Sequence, residues 1–376
     1  MTELSELLAA MIRQPSVNPG GREPQGAEEG EARMTELVNE WLVARGVECE
    51  LQQVSENRTN VVARVQGQQE PPLLFESHLD TVAVDGMTIP PFEPRVENGR
   101  MHGRGSCDDK ASLAAMMMAL ARVAQGDQPP ARSIVLLAAV DEEYLHSGIA
   151  RFLEDSGPIA GAVVGEPTGL RVVIAHKGAL RTRITTRGVS AHSSNPECGV
   201  NAIYRMARVV TALEDFAESL QERSPHELVG GPTLSVGTIS GGTAVNVVPE
   251  LCECMVDRRL IPGESPDDAL EEIKGVVADL LEDDDELAAT LKDSAVETDR
   301  SAEIVRSARA AVREFTGEDE PEGVAYCTDG CDLAERGIPL VVLGPGDIAQ
   351  AHTAEEWVEL EQVELAANIY ERMMRD

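Results

Sequence analysis

The sequence predicts an α/β fold, in which a larger domain is built on a central, mostly parallel sheet flanked by helices and carries an inserted, smaller α+β domain. Three observations support this prediction. The chain has 376 residues, which exceeds the ~100–200 residues typical of one domain. Strand-like apolar runs alternate with helical stretches through residues 72–169, and a different rhythm of strands and helices occupies residues 179–293.

The larger domain is predicted from short apolar runs, which indicate buried strands, and from longer amphipathic stretches, which indicate helices. The strands fall at residues 73–75, 134–140, 162–164 and 340–343, and the helices at residues 110–124, 302–315 and 359–374. We assign residues 1–178 and 294–376 to this domain.

The inserted domain, residues 179–293, has the order β-α-β-β-α-β. The strands are expected at residues 180–186, 233–239, 250–260 and 287–291, and the helices at residues 199–222 and 266–282. This order is that of a ferredoxin-like unit.

The acidic composition limits the partners of the protein. The sequence has 32 Lys and Arg residues against 66 Asp and Glu residues, a formal net charge of −34. Such a chain repels nucleic acid and anionic membranes, so neither is an expected partner. The hydrophobic content of 42% is too high for a disordered acidic chain. Because salt screens repulsion between surface charges, a salt-rich habitat is our hypothesis for this composition.

The cysteines and the N-terminal residues indicate the cellular compartment in which the protein is expected. Seven cysteines are scattered along the chain without a CxxC pair, which favours reduced thiols over a zinc finger or a redox dithiol. The first residues lack the basic leader and the length of a signal peptide. No apolar run reaches the ~18 residues of a membrane span. We therefore expect a cytoplasmic protein.

Five polar clusters follow apolar runs, at residues 77–80, 103–110, 141–143, 165–168 and 350–353. Each has an ordinary explanation when it is taken alone, such as a surface turn, a helix cap or a solvated acidic loop. Together they place His, Asp, Glu, Glu and His side chains at the ends of strands or in the loops that leave them, where an α/β sheet builds its binding edge. These side chains are typical ligands of a divalent metal. Next to a bound metal, a further carboxylate can accept a proton from water.

The ordered set resembles the dinuclear zinc aminoacylase/carboxypeptidase family, which includes acetylornithine deacetylase and succinyl-diaminopimelate desuccinylase. The likeness covers nearly the whole chain. Its motifs are QPSVNP at 14–19, HLDT at 78–81, GRG at 103–105, DEE at 141–143, GEPT at 165–168 and AHT at 351–353. Two positions depart from the family pattern: Asp109 stands where an apolar residue is frequent, and Ala111 replaces a common glycine.

The resemblance implies two divalent ions, with zinc the first choice and cobalt or manganese as alternatives. Asp108 would bridge the two ions, and the implied remaining ligands are His78 and Glu166 at one site and Glu143 and His352 at the other. Glu142 is the implied general base, and Asp80 is expected to orient His78. Two such ions can hold a bridging hydroxide and polarise the scissile carbonyl, so amide hydrolysis needs no protein nucleophile.

The inserted domain resembles the lid or dimerisation domain of the family, so we expect a homodimer. His192 lies in a segment that matches the one contributing a histidine to the oxyanion site, which comes from the partner subunit in dimeric members. Arg259 aligns with a carboxylate-binding arginine, and Asn246 matches a substrate-contacting asparagine. Strand alternation sends Arg258 and Arg259 to opposite faces. A bidentate pair with Arg259 would explain a requirement for a free carboxylate in the substrate.

The implied reaction is hydrolytic deacylation of an N-acyl amino acid. Residues 324–329 and 343–352 look closest to acetylornithine deacetylase, so N-acetylornithine is the first expected substrate and arginine biosynthesis the expected pathway. A desuccinylase, a dipeptidase and a carboxypeptidase of similar design are alternatives. Two further alternatives belong to other classes. One is a non-catalytic binding module of the same fold, and the other is a hydrolase with Cys107 or Ser106 as nucleophile near His102, although no ordered triad supports it.

Overall fold

The computed structural model describes all 376 residues. The chain divides into two compact units. The first comprises Met1–Ile174, Thr298–Glu322 and Thr328–Asp376, and the second comprises Ala175–Glu297 and Gly323–Cys327.

The helices and strands are numbered in chain order. The α-helices are α1 (Glu3–Ile12), α2 (Ala32–Val43), α3 (Lys110–Ala124), α4 (Ser147–Asp155), α5 (Ala202–Gln221), α6 (Pro266–Val277), α7 (Glu303–Thr316), α8 (Gly330–Glu335) and α9 (Leu360–Arg375). The strands are β1 (Glu48–Ser55), β2 (Arg58–Val65), β3 (Gln69–His78), β4 (Arg95–Glu97), β5 (Arg100–His102), β6 (Arg132–Ala139), β7 (Gly161–Val164), β8 (Val173–His176), β9 (Gly178–Arg187), β10 (Thr233–Gly241), β11 (Leu251–Leu260), β12 (Glu286–Asp293), β13 (Val296–Glu297), β14 (Glu322–Val324), β15 (Leu340–Val342) and β16 (Trp357–Glu359). None of the helices is both long and apolar enough to span a membrane.

Six neighbouring strands of the main sheet lie wholly in the first unit, in the order β1-β2-β6-β3-β7-β15. Strands β6, β3, β7 and β15 are parallel to one another. The strands β1 and β2 are antiparallel to each other, and β2 is antiparallel to β6. The predicted α/β fold with a parallel centre is confirmed, and the antiparallel pair at one edge is an addition to it.

The register of the parallel strands determines where the polar clusters lie. His78 at the end of β3 is paired with Ala139 at the end of β6, and Glu76 is paired with Val164 at the end of β7. The three strands therefore end at the same edge of the sheet. The acidic residues that follow β6 and the Glu166 segment that follows β7 emerge beside His78, as expected for a binding edge.

The helix α3 is buried along nearly its whole length. It packs against the sheet strand β3 and against α1 and α9, which explains why its sequence is apolar all round. Tyr370 of α9 contacts Phe75 edge-on, with ring centroids 6.1 Å apart. The Tyr370 hydroxyl donates a hydrogen bond to the Leu343 carbonyl at 2.6 Å, so this buried aromatic residue satisfies its polar group.

The second unit contains a four-stranded sheet in the order β10-β11-β9-β12, and its neighbouring strands are all antiparallel. The helices α5 and α6 contribute Met206, Leu213 and Ile273 to the same core as Ile184 and Val256 of the sheet. The order of elements and of strands is ferredoxin-like, as predicted.

Candidate metal centre

His78 occupies the last position of β3 and is 1% exposed. Its Nδ1 atom lies 3.0 Å from the backbone oxygen of Asp80, and its Nε2 atom lies 3.1 Å from Oδ1 of Asp108. The nitrogen presented to Asp108 is therefore Nε2, while the backbone carbonyl fixes the other side of the ring. The carboxylate of Asp80 is farther from Nδ1, at 3.7 Å.

Asp108 lies between two histidines. Its Oδ1 atom faces His78, and its Oδ2 atom is 3.2 Å from Nε2 of His352. The N-cap position of α3 belongs to Asp109, which makes no side-chain cap hydrogen bond. The helix-cap explanation for Asp108 is therefore wrong. A carboxylate with one imidazole on each oxygen has the arrangement that a bridging metal ligand needs.

The acidic loop after β6 begins with a left-handed residue, Asp141, which has φ 72°. This conformation is uncommon for a residue with a side chain. Its carboxylate accepts hydrogen bonds from Asn18, Arg58 and Ser147, and these contacts hold the turn. The backbone N–H groups of Glu142 and Glu143 donate to the carboxylate of Asp80 at 3.2 and 3.1 Å. Asp80 therefore positions the loop as well as contacting His78.

The predicted ligands form one cluster. Donor atoms of His78, Glu142 and Glu166 lie within 4.8 Å of one another, as do donor atoms of His78, Asp108 and Glu143. His352 Nε2 is 3.3 Å from Oε1 of Glu143, which places the exposed histidine on the Glu143 side of Asp108. The structure thus brings together all five predicted ligands and Glu142.

The electrostatics of the cluster fit divalent cations. Burial raises the pKa of Glu142 and of Glu166 well above the ordinary value, and neither carboxylate accepts a hydrogen bond from a protein donor. Burial also raises the pKa of Asp108, but the contacts with His352 and His78 outweigh it, so the pKa falls below its ordinary value. Four carboxylates and two imidazoles in one buried site leave an excess of negative charge. Two divalent ions would neutralise this excess charge. Carboxylate oxygens and imidazole nitrogens are suitable ligands for such ions.

Two sets of supporting contacts were not predicted, because Glu31, Arg58 and Glu356 lie outside the motifs. Glu356 accepts hydrogen bonds from the backbone N–H groups of Cys107 and Asp108 and from Arg104. On the other side, Arg58 joins Glu31 to Asp141. Glu31, Arg58 and Glu356 lie among other polar residues, so the sequence offers no signal that distinguishes them or identifies their partners.

The alternative of a cysteine nucleophile is not supported. Cys107 is fully buried, and burial raises the pKa of its thiol well above the ordinary value. A thiol in this state is a poor nucleophile because the reactive species is the thiolate. Ser106 is equally buried.

The three site residues predicted for the inserted domain lie in the second unit. His192 and Val247 form an isolated β-bridge, and the Asn246 carbonyl accepts a hydrogen bond from the N–H group of Ser193. The segments of His192 and Asn246 are therefore neighbours. Arg259 is partly exposed on β11 and donates to Asp257 at 2.7 Å. By contrast, Arg258 is 0% exposed and pairs with Glu264, as expected from strand alternation.

Known proteins resemble this chain in both sequence and structure. An acetylornithine deacetylase from Myxococcus xanthus is 32% identical over 298 residues, which are 77% of this chain and 76% of the relative. An acetylornithine deacetylase from Aliivibrio salmonicida (strain LFI1238) is 30% identical over 360 residues, 92% of each chain. The structure of an M20 family metallo-carboxypeptidase from Sulfolobus solfataricus has a TM-score of 0.83 at 20% identity and covers 100% of this chain and 99% of its own. A dinuclear metal-binding M20 peptidase from Bacillus subtilis has a TM-score of 0.70 at 15% identity and covers 99% and 96%.

The model of one protein family matches most of the chain. This model, described as peptidase family M20/M25/M40, matches residues 74–376, a range that includes the five predicted metal ligands. The two relatives at 30% identity or more cover over two thirds of the chain. The protein therefore belongs to peptidase family M20/M25/M40 and is a metal-dependent hydrolase.

Proposed function

We propose that the protein hydrolyses the amide bond of an N-acyl amino acid and that its substrate is N-acetylornithine, in arginine biosynthesis. The observation that carries the chemistry is the position of Asp108 between two imidazole Nε2 atoms, with Glu143 beside His352 and Glu166 near His78. The choice of acyl group and amine rests on the names of the relatives from Myxococcus and Aliivibrio.

In this proposal Asp108 is the bridging ligand, with His78 and Glu166 on one side and Glu143 and His352 on the other. Two divalent ions bound there, zinc by first choice, would activate water and polarise the scissile carbonyl. Glu142 takes a proton from the attacking water and returns a proton to the leaving amine nitrogen. Burial raises the pKa of Glu142 above its ordinary value in the metal-free site, and a carboxylate with a raised pKa is a stronger base.

The second unit supplies the proposed substrate contacts. Arg259 binds the free carboxylate of the substrate as a bidentate partner, in exchange for its present contact with Asp257. Asn246 contacts the substrate through its amide, and His192 donates a hydrogen bond to the oxyanion that develops on the scissile carbonyl. His192 is exposed, and Nδ1 of its ring contacts Ser194 of its own turn, so the Nε2 side of the ring is available for this contact.

A homodimer formed through the second unit is part of the proposal. Strand β10 is at the edge of its sheet and pairs only with β11. Its Ile239 is 56% exposed, and two further apolar residues of this unit are exposed more, Tyr204 at 69% and Val245 at 101%. An unpaired strand edge with exposed apolar side chains favours association with another chain. We place the dimer in the cytoplasm, where its seven free cysteines stay reduced.

The direct test is amide hydrolysis by the zinc-loaded protein over a panel of N-acetylornithine, N-succinyl-diaminopimelate, N-acetyl amino acids and dipeptides. The expected result is the highest kcat/KM with N-acetylornithine. A preference for a dipeptide or for the succinyl substrate would keep the mechanism and overturn the substrate. Inactivity on the whole panel with two ions bound at Asp108 would overturn the proposed function.

A further inference from the structure

A second group of metal-ligand side chains lies in the first unit, apart from the ligands around Asp108. His146 is the N-cap residue of α4, and Cys331 and Asp332 lie in the first turn of α8. The Nδ1 atom of His146 is 3.8 Å from Sγ of Cys331 and 3.3 Å from Oδ2 of Asp332. The remaining distance, from Sγ to Oδ2, is 3.6 Å.

These three distances match one face of a zinc tetrahedron. Zinc binds sulfur at ~2.3 Å, imidazole nitrogen at ~2.0–2.1 Å and carboxylate oxygen at ~2.0–2.2 Å. At tetrahedral angles, these bond lengths place nitrogen and sulfur about 3.6 Å apart, nitrogen and oxygen about 3.4 Å apart, and sulfur and oxygen about 3.6 Å apart. The observed triangle differs from this by about 0.2 Å at most.

Burial and ligand type favour a bound ion over a simple ion pair. His146 and Cys331 are 9% and 3% exposed, whereas the Asp332 side chain is 28% exposed and leaves a route for entry. In the structure these contacts are an ion pair between His146 and Asp332 and weak hydrogen bonds of the Cys331 thiol. A bound ion is supported by the match of all three distances to a metal-centred geometry and by the types of the ligands. One nitrogen, one sulfur and one oxygen together suit a borderline-soft divalent metal such as zinc.

We propose that His146, Cys331 and Asp332 bind a third divalent ion, of the zinc class, separate from the pair at Asp108. The backbone N–H groups of Leu145 and His146 donate to the Asp141 carbonyl at 3.2 and 2.8 Å. The loop that carries Glu142 and Glu143 ends at His146. An ion bound to His146, Cys331 and Asp332 therefore links the end of this loop to α8. Its role is to hold this loop in place.

Cobalt distinguishes this site from the proposed catalytic one, because the ligands around Asp108 include no sulfur. The full-length protein saturated with Co²⁺ is expected to show a thiolate-to-cobalt charge-transfer band in the near ultraviolet. Cys331→Ser should abolish the band and lower the bound cobalt by one ion per chain. The matched control Cys198→Ser, which removes an exposed thiol of the second unit, should keep both. His352→Asn should remove cobalt from the Asp108 centre and leave the band intact.

Asp332→Asn keeps the thiol and provides a second test if the Cys331→Ser variant does not fold. It should shift the band to cobalt concentrations at least about tenfold higher, because it removes one of three ligands. Absence of the band in the cobalt-saturated wild type would overturn the proposal, as would an unchanged band in Cys331→Ser or an unshifted titration in Asp332→Asn. None of these results bears on the proposed hydrolysis, which the substrate panel tests separately.

Discussion

At the scale of single residues, a buried carboxylate that binds no metal in our proposal shapes the centre. Glu356 is 0% exposed, and its two oxygens accept hydrogen bonds from Arg104 and from the backbone N–H groups of Gly105, Cys107 and Asp108. These bonds satisfy buried donors in the turn that leads to α3. They fix the backbone of Asp108, so both of its oxygens can face the histidines.

Removing the Glu356 carboxylate should therefore destabilise the fold. Glu356→Ala leaves Arg104 as an unpaired buried charge, and breaking such a pair costs about 3–5 kcal/mol. The free energy of unfolding of the metal-free protein, measured by chemical denaturation, gives the loss. The neighbouring Glu355 is exposed, so Glu355→Ala is a matched control with an expected effect within about 0.5 kcal/mol. Equal effects of the two substitutions would contradict the role given to Glu356.

Glu142 allows a separation of chemistry from metal binding. Glu142→Gln removes the general base and keeps the size of the side chain, so kcat should fall by about 10²–10⁴-fold. The metal content should remain that of the wild type, because the five proposed ligands are intact. Atomic emission and steady-state kinetics on the same preparation measure the two quantities. A variant that keeps full activity would show that Glu142 is not the base.

At the scale of elements, the accuracy of sequence prediction depended on how local the signal was. The helix α3, Lys110–Ala124, has the predicted limits because its apolar run is continuous. Strand β3 begins at Gln69, four residues before the predicted start. The prediction missed its first residues because Gln69 and Glu70 are polar and interrupt the apolar pattern. Strands β1 and β2 were not predicted, since their exposed residues interrupt the apolar pattern.

The site followed the same rule. The predicted ligands lie in short motifs at strand ends or in the loops that leave strands, and the family resemblance of these motifs indicated which residues bind metal. Arg104 and Glu356 are 252 residues apart, and Arg58 and Asp141 are 83 residues apart. No local pattern indicates such pairs, because only the folded chain brings them together. The roles of the site residues and the domain limits 178/179 and 293/294 stay predictions.

The edge strand β10 gives a prediction at this scale. Ile239→Lys places a charge on the exposed edge of the sheet, a substitution that disfavours pairing with a second chain. We expect the wild type to be a dimer and the variant a monomer in light scattering after size exclusion. Val43→Lys, at an equally exposed apolar position of the first unit, where the side chain is 53% exposed, should leave the dimer unchanged. A monomeric wild type would contradict the proposed dimer.

At the scale of the whole molecule, the formal net charge of −34 acts on stability. Only four lysines, at 110, 177, 274 and 292, are present, and Lys110 is fully buried, with its ammonium group bonded to the carbonyls of Met11 and Gln14. Surface repulsion among carboxylates is therefore relieved mainly by arginine and by dissolved cations. Self-repulsion of this kind destabilises the compact state, and salt screens it.

We expect the midpoint of thermal unfolding to rise by about 5 °C or more between low salt and molar KCl, which corresponds to roughly 4 kcal/mol or more for a chain of this size. Sucrose at matched osmolality separates screening from exclusion of cosolute, since sucrose carries no charge. A midpoint that is independent of KCl, or that rises equally in sucrose, would contradict the screening explanation.

The central claim is that Asp108 bridges two divalent ions. Anomalous scattering from crystals of the zinc-loaded protein, recorded on both sides of the zinc absorption edge, tests it most directly. The prediction is two zinc peaks about 3.5–4 Å apart, one on each oxygen of Asp108, with His78 and Glu166 at one ion and Glu143 and His352 at the other. A single peak, or two peaks that do not share Asp108, would contradict the claim.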